Sequence, residues 1–272
     1  MSARTISTRL SARRPDWFFD ALESIRSDGF AIIEDVLSPA LLERTREAMY
    51  GVHEQVVAEL GRQRLERAGE LGVLRLMLRY DGHFYSLLEL DEVLDVVDTC
   101  LSSAAILHLQ SGLIVPSCSG NGAAPQGPAR FDRTFPRYLD GYVASINTFL
   151  AIDEFASPDG AMLLVPRSHQ RPQPPDRAGI DTAAAALCPA GSMLVFDSTL
   201  WHAAAVNRSG RDRLAINQQF TRPFITPQID YVRALGDEMV LRREPRTQQL
   251  LGWYTRVATS LEEYYGQRSA VA

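Results

Sequence analysis

Hydrophobic positions in the first part of the chain recur at helical spacing, interrupted by one short β-branched run. The apolar residues of the first predicted helix share one face: Trp17, Phe18, Leu22 and Ile25. Gly29 is the expected stop for this helix, and the run 30–36, FAIIEDV, predicts a strand directly after it. Ser38 before Pro39 is typical of an N-cap followed by proline at the first helical position. A long helix is therefore expected to continue to about Arg67.

After this helix, 71–80 has the composition of a strand, and 83–103 predicts one or two further helices. From Ala104 onward the period changes to short strand-length runs separated by Gly, Pro, Asn and Asp. These runs are 106–115, 130–135, 142–152, 161–166, 192–198 and 213–220. From Gln228 onward the pattern becomes helical again. The prediction is an α+β fold with a jelly-roll core, a helical N-terminal layer and a helical C-terminal tail.

The expected organisation is a disordered tail over 1–14 followed by a single domain over 15–272. The jelly-roll core of that domain is large enough to hold one small-molecule site.

Composition excludes several kinds of function. The net charge of -5 does not indicate a positively charged binding surface, so nucleic acid is not the expected partner. All 28 basic residues are arginine, which excludes Schiff-base chemistry and a phosphate-binding P-loop lysine. Three scattered cysteines and the lack of an apolar run of membrane-spanning length predict a cytoplasmic protein with reduced thiols and no membrane partner.

The stretch 194–220, LVFDSTLWHAAAVNRSGRDRLAINQQF, carries the main candidate chemistry. It predicts a buried strand ending near Asp197, a turn that presents His202, and a second strand that carries Arg213. Both side chains are expected to point at one cavity. His202 is alternatively a satisfied core histidine, and Arg213 is alternatively a structural partner of Asp197 or Asp212.

Three segments together resemble one known family: 29–49, 145–169 and 196–220. In order and spacing they are similar to the phytanoyl-CoA dioxygenase-like branch of the iron(II)/2-oxoglutarate oxygenases, over roughly residues 28 to 225. The resemblance implies a double-stranded β-helix, also called a jelly-roll or cupin-like core. It also implies a 2-His-1-carboxylate site that leaves metal positions open for 2-oxoglutarate and O₂.

By this resemblance, His202 matches the second metal-binding histidine of the family. Arg213, on the next strand, matches the arginine that grips the far carboxylate of 2-oxoglutarate, a role that suits its planar donor fork. Asn147 and Gln110 stand where polar side chains of the family often contact the cosubstrate.

The family's other two metal ligands come from an H-x-D motif, and this sequence departs from it. The corresponding stretch, 131–138, reads FDRTFPRY, so that Asp132 stands for the histidine and Thr134 for the aspartate. A shifted register keeps Asp132 as the carboxylate and puts Arg130 at the histidine position. Since strand side chains alternate, these three residues share one face in either register.

The sequence is compatible with two kinds of active site. Asp132 and His202 are able to form a two-residue metal site completed by 2-oxoglutarate and water, although a threonine hydroxyl is a poor iron ligand. Alternatively, Arg130 pairs with Asp132 and repels a divalent ion, and Asp132 with His202 then becomes an acid–base pair. A third interpretation makes Asp132 a salt-bridged surface residue.

Three functions follow from these sites. The first is an iron(II)/2-oxoglutarate oxygenase-like enzyme with an atypical metal site, acting on a small organic molecule, as in secondary metabolism. The second is a metal-independent, redox-neutral enzyme on the same fold that needs no cofactor and catalyses a cyclisation, isomerisation or elimination. It uses Asp132, His202, Arg130 and Arg213 for proton transfer and anion binding, and Thr134 is the remaining catalytic candidate. The third is a non-catalytic subunit paired with an active homologue. A homodimer or a heterodimer with a homologue is compatible with each.

Overall fold

The fold is taken from a computed structural model that describes residues 4–6, 9–117, 141–155, 160–204 and 206–269. The α-helices are α1 (Trp17–Asp28), α2 (Pro39–Leu60), α3 (Arg62–Ala68), α4 (His83–Leu88), α5 (Asp91–Cys100), α6 (Arg177–Ile180), α7 (Tyr231–Leu235), α8 (Asp237–Leu241), α9 (Pro245–Leu250) and α10 (Leu261–Ser269). Short 3₁₀ turns lie at Met77–Arg79, Ser168–Gln170 and Trp253–Thr255. Helices thus precede and follow a β-rich centre, as the sequence predicts.

The strands are β1 (Arg4–Thr5), β2 (Leu10–Ser11), β3 (Phe30–Glu34), β4 (Val73–Arg75), β5 (Ile106–Val115), β6 (Ser145–Ala151), β7 (Met162–Leu164), β8 (Ala184–Ala186), β9 (Met193–Asp197), β10 (His202–Ala204) and β11 (Arg213–Thr221). The larger sheet has the order β2-β3-β9-β6-β11-β5-β4, and the smaller sheet has the order β1-β8-β7-β10. Among these described strands, all pairings are antiparallel except β1–β8 and β2–β3. This is the predicted jelly-roll core.

Each face of the larger sheet packs against a different layer. One face meets the helices and buries Ile146, Val195 and Ile216 in the main apolar core. The other face buries Phe149 and Phe196 together with residues of the smaller sheet. Because successive strand residues point to opposite faces, each position on β5, β6, β9 and β11 can be assigned to the helix side or to the inner side.

Three local predictions need correction. The long second helix is broken at Gly61, whose φ of 83° is incompatible with α-helix, so that α2 and α3 are separate. The run 71–80 is only partly strand, because β4 ends at Arg75 and a 3₁₀ turn follows. The tail is ordered at Leu10, which is 8% exposed and pairs in register with Ile33.

Gly29, the residue that ends α1, packs against Leu200 in the turn that precedes β10. Its φ is 93°, and its N–H donates to the Ile25 carbonyl at 3.0 Å, as a left-handed helix stop requires. A Cβ at this position would lie 2.5 Å from His169 Nδ1 and 2.6 Å from Leu200 Cδ1. Both the backbone conformation and the space therefore demand glycine.

We expect Gly29→Ala to lower the free energy of unfolding by about 2–4 kcal/mol, from left-handed strain and overpacking combined. Gly51→Ala is the matched control, because Gly51 lies inside α2 and a Cβ added there would meet no atom within 4 Å. The control should raise stability by roughly 0.5–1 kcal/mol. Urea unfolding measures both, and equal stability of the two variants would contradict the proposed packing at Gly29.

Candidate active site

His202 begins β10 and faces the space between the two sheets. Its imidazole lies 5.0 Å from the ring of Phe196, which belongs to the inner core. Its Nδ1 lies 2.9 Å from the Leu200 carbonyl oxygen. Since a carbonyl only accepts, Nδ1 carries the proton, and in the neutral ring the lone pair is then on Nε2. A metal-binding histidine is commonly oriented in this way.

Arg213 begins β11 on the same inner side. Its guanidinium lies over the Phe155 ring, with the carbon 4.8 Å from the ring centroid. Among the described residues it forms no ion pair, and its buried Nη1 has no hydrogen-bond partner. The alternative pairing with Asp197 or Asp212 is therefore not observed. Burial lowers the pKa of the Arg213 guanidinium, since desolvation disfavours its charged form.

The start of β11 is held in place by Asp153. This carboxylate accepts from the Leu214 backbone N–H at 2.8 Å, and the Asp153 N–H donates to the Leu214 carbonyl at 3.0 Å. Arg46 of α2 donates to the other carboxylate oxygen at 2.8 Å. The backbone directly after Arg213 is thereby fixed on both sides, which limits where the guanidinium can go.

Asn147 lies on the inner face of β6, as expected for a site residue. It is fully buried and its side-chain oxygen accepts from the Ser198 hydroxyl at 2.6 Å. Its Nδ2 donates to Asn217 Oδ1 at 3.0 Å. The network continues from Ser198 to Ser145 at 2.7 Å, and Gln219 Nε2 donates to Ser145 at 3.0 Å.

Sequence reasoning missed four members of this network: Ser145, Ser198, Asn217 and Gln219. One signal was available for Asn217 and Gln219, since alternation places them on the same strand face as Arg213. Ser145 and Ser198 come together only through the pairing of Ile146 with Asp197.

Gln110 does not join this group. Its Nε2 donates to the Phe84 carbonyl at 3.1 Å, and it is paired with Gln218, whose Nε2 donates to the Leu87 carbonyl. Phe84 and Leu87 belong to α4, so the Gln110 side chain is on the helix side of the sheet. The family-based prediction of a cosubstrate contact at Gln110 is corrected accordingly.

The candidates Arg130, Asp132 and Thr134 lie outside the described residues. Within the ranges that the structure describes, no group of three or more His, Cys, Asp or Glu side chains is arranged to hold a metal ion. Of the two predicted metal ligands, His202 and Asp132, only His202 lies within those ranges.

Asp197 ends β9 and faces the helix side, opposite to Phe196. It is 6% exposed, and its Oδ1 accepts from the Thr199 N–H at 2.7 Å and from the Thr199 hydroxyl at 2.6 Å. Burial raises the pKa of this carboxyl, while the bonds from Thr199 oppose the rise. These bonds shape the turn that leads to His202, so the role of Asp197 is to position the turn.

The fold and the site define a jelly-roll protein in which an imidazole and a partly buried guanidinium face the same inter-sheet space, and this guanidinium forms no ion pair with the described residues. Two solved structures share this fold. A non-heme monooxygenase solved as the ThoJ–Ni complex superposes with a TM-score of 0.59 at 20% identity, covering 76% of this chain and 79% of that one. HygX from Streptomyces hygroscopicus, solved with iron bound, superposes with a TM-score of 0.58 at 17% identity, covering 76% of this chain and 88% of that one.

The chain belongs to the phytanoyl-CoA dioxygenase (PhyH) family, whose sequence profile matches residues 25–215. It is 56% identical over 247 residues to the protein named Rv1501 of Mycobacterium tuberculosis, covering 90% of this chain and 89% of that one. It is also 32% identical over 123 residues to the dioxygenase cdmD of Talaromyces verruculosus, covering 44% of this chain and 40% of that one. The family resemblance inferred from the sequence motifs is confirmed.

We expect Asp197→Asn to stabilise the protein more at neutral than at acidic pH. Because the folded-state pKa of Asp197 is raised, its stabilising contribution is complete below the unfolded pKa and is lost as pH rises through the folded pKa. Asparagine keeps the Oδ1 acceptor for Thr199 without the buried charge. Urea unfolding at a series of pH values measures the difference.

The control is Asp95→Asn, which removes one exposed carboxylate from α5. Its stability difference from the wild type should change little with pH. An Asp197→Asn curve parallel to the wild-type curve would show that Asp197 is not the titrating group.

Proposed function

We propose that the chain is an oxygenase-type enzyme that binds 2-oxoglutarate and iron(II) and acts on a small organic molecule, with an atypical metal site. The observation that carries this proposal is Arg213, a partly buried cation whose Nη1 is buried and which has no anionic partner among the described residues. Leaving such a charge unpaired is costly, and a ligand carboxylate would relieve that cost.

The surroundings of Arg213 fit a small diacid. Phe155 lies under the guanidinium, and its ring is 5.7 Å from that of Phe149. These two rings make one wall of the space beside Arg213 apolar, which lowers the local dielectric around a carboxylate that pairs with it. The planar guanidinium then holds the carboxylate through two parallel hydrogen bonds.

The fit to a metal ion rests on His202, whose Nδ1–H donates to Leu200 and leaves the imidazole in the tautomer a metal binds. By the sequence, Asp132 is the second ligand, while Thr134 replaces a carboxylate. Iron(II) held by these residues would supply the O₂-dependent oxidation typical of such sites. Because one protein carboxylate is replaced, we expect weaker metal binding than a complete triad gives.

Anaerobic titration of the purified chain with iron(II) and 2-oxoglutarate should produce a visible metal-to-ligand charge-transfer band. His202→Ala should abolish the band, because it removes the imidazole ligand. Asp95→Asn, a charge change at an exposed site, should leave it intact. No band from the wild type at saturating metal would overturn the oxygenase proposal.

We expect Arg213→Gln to weaken 2-oxoglutarate binding by about tenfold to a hundredfold, since a charge-assisted pair contributes roughly 1.5–3 kcal/mol. Arg211→Gln, an exposed change two residues earlier, is the matched control. Calorimetry in the presence of iron(II) measures the 2-oxoglutarate affinity of both variants. Unchanged affinity in the Arg213 variant would exclude it as the carboxylate partner.

The sequence at 131–138 favours a second candidate function, in which a redox-neutral reaction uses Asp132 and His202 as an acid–base pair. Replacement of both upstream ligand positions supports it. This enzyme would turn over its substrate anaerobically and in the presence of a chelator. Loss of turnover under either condition would exclude the redox-neutral candidate.

A further inference from the structure

The cavity beside Arg213 is lined by three carboxylates: Asp153, Glu154 and Asp212. Each is a possible partner for the guanidinium, yet in the described part of the chain none forms an ion pair with it. Glu154 is exposed, so water and salt screen its charge. The other two carboxylates are engaged by one helix, α2.

Asp153 is the less exposed of these two carboxylates. Its side chain is 13% exposed, and its Oδ2 accepts from the Leu214 N–H at 2.8 Å, one residue beyond Arg213. Its other oxygen accepts from the Arg46 guanidinium of α2 at 2.8 Å. This hydrogen bond raises the pKa of Arg46, because it stabilises the charged guanidinium. Arg46 therefore neutralises a carboxylate that is bonded to the backbone next to Arg213.

Asp212 directly precedes Arg213 and contacts the same helix. Its Oδ2 accepts from the Tyr50 hydroxyl at 3.3 Å. Arg46 and Tyr50 are four residues apart on α2, so their side chains lie on one face of that helix. One helix face thus engages a carboxylate on each side of Arg213 along β11.

Without its partner on α2, Asp153 would compete with a ligand for Arg213. An ionised carboxylate that is largely removed from water needs a cation or several donors, and Leu214 supplies only one donor. Arg213 has a buried Nη1 that no described residue bonds, and its guanidinium lies over Phe155, two residues after Asp153. An ion pair between Asp153 and Arg213 would occupy the anion site from within the protein.

We propose that Arg46 is a positioning residue that keeps Arg213 available to a ligand anion, by neutralising Asp153 and holding it against β11. Tyr50 has the same role toward Asp212. This inference rests on the proposed function, in which Arg213 binds a carboxylate of 2-oxoglutarate, and it assigns part of that binding to a helix outside the two sheets.

Calorimetry with 2-oxoglutarate and iron(II) tests the role of Arg46. Arg46→Gln should weaken 2-oxoglutarate binding by about tenfold, because the charge of Asp153 is then left to pair with Arg213. Arg46→Lys keeps a cation and should stay within about threefold of the wild type. The matched control is Arg44→Gln on the same helix, which breaks a 2.7 Å ion pair with Asp81 and should leave the affinity unchanged.

A second substitution separates this role from a purely structural one. Asp153→Asn removes the competing charge and keeps an oxygen that accepts from the Leu214 N–H. In the Arg46→Gln background it should therefore recover at least about fivefold of the lost affinity. In the Arg213→Gln background, Arg46→Gln should change the affinity by less than about twofold, because the group through which it acts is gone.

Tyr50→Phe tests the second contact. It should weaken 2-oxoglutarate binding by only about twofold to threefold, because Asp212 is exposed and its charge is screened. Tyr80→Phe is the matched control, since the Tyr80 hydroxyl donates to Glu59 at 2.8 Å and neither residue lines the cavity beside Arg213. Equal affinity of the two variants would contradict the role of Tyr50.

Thermal unfolding of each variant checks folding. Wild-type affinity in Arg46→Gln would overturn the inference, as would a double variant with Asp153→Asn that binds no better than Arg46→Gln alone. The proposed function stands in both cases, because the wild type still binds 2-oxoglutarate. If the wild type itself does not bind 2-oxoglutarate with iron(II), the proposed function fails and this inference fails with it.

Discussion

The partial burial of one guanidinium that has no carboxylate partner in the described part of the chain is the constraint that organises the inner side of this fold. Arg213 loses hydration without gaining a carboxylate among the described residues, so the surrounding structure must compensate for a desolvated cation. The Phe155 ring provides a partial attraction through its negative face. Asp153 is close in sequence to Phe155, yet its oxygens are used by Leu214 and Arg46. The cation is therefore held in place while Asp153, the nearby carboxylate, is used by other groups.

The strand β11 connects this charge to the rest of the sheet. It lies between β5 and β6, and a single register places Arg213, Asn217 and Gln219 on the inner side. A slip of one residue would exchange them with Leu214, Ile216 and Gln218, which would bury polar groups against the helices. The apolar contacts on the helix side thus determine which polar groups face the space between the two sheets. The alternation of side chains along β11 therefore sets both the apolar packing on one face and the polar groups on the other.

Much of the fold could be predicted from the sequence because strand residues alternate between two faces and because particular residues begin and end the helices. Gly29 ends α1, and Ser38 with Pro39 begins α2, through contacts within one helical turn. The strands are recognisable in the sequence from their alternating apolar and polar residues. The site was less predictable, because it depends on which strands become neighbours. Gln110 was assigned by family position, and the pairing with Gln218 and the contact with Phe84 show that it faces the helices. Ser111, one residue later, faces the inner side, but its hydrogen bond to Arg75 joins elements 36 residues apart.

Gly29 has a further consequence for how sequences of this family can change together. Its missing side chain leaves room for both His169 and Leu200, and its carbonyl accepts from the Asp197 N–H at 2.9 Å. The end of the first helix and the turn before His202 are therefore in direct steric contact, although they are far apart along the chain. Relatives with a larger residue at this helix stop should carry smaller side chains at the two facing positions. Covariation among these three positions would record that contact in sequences alone.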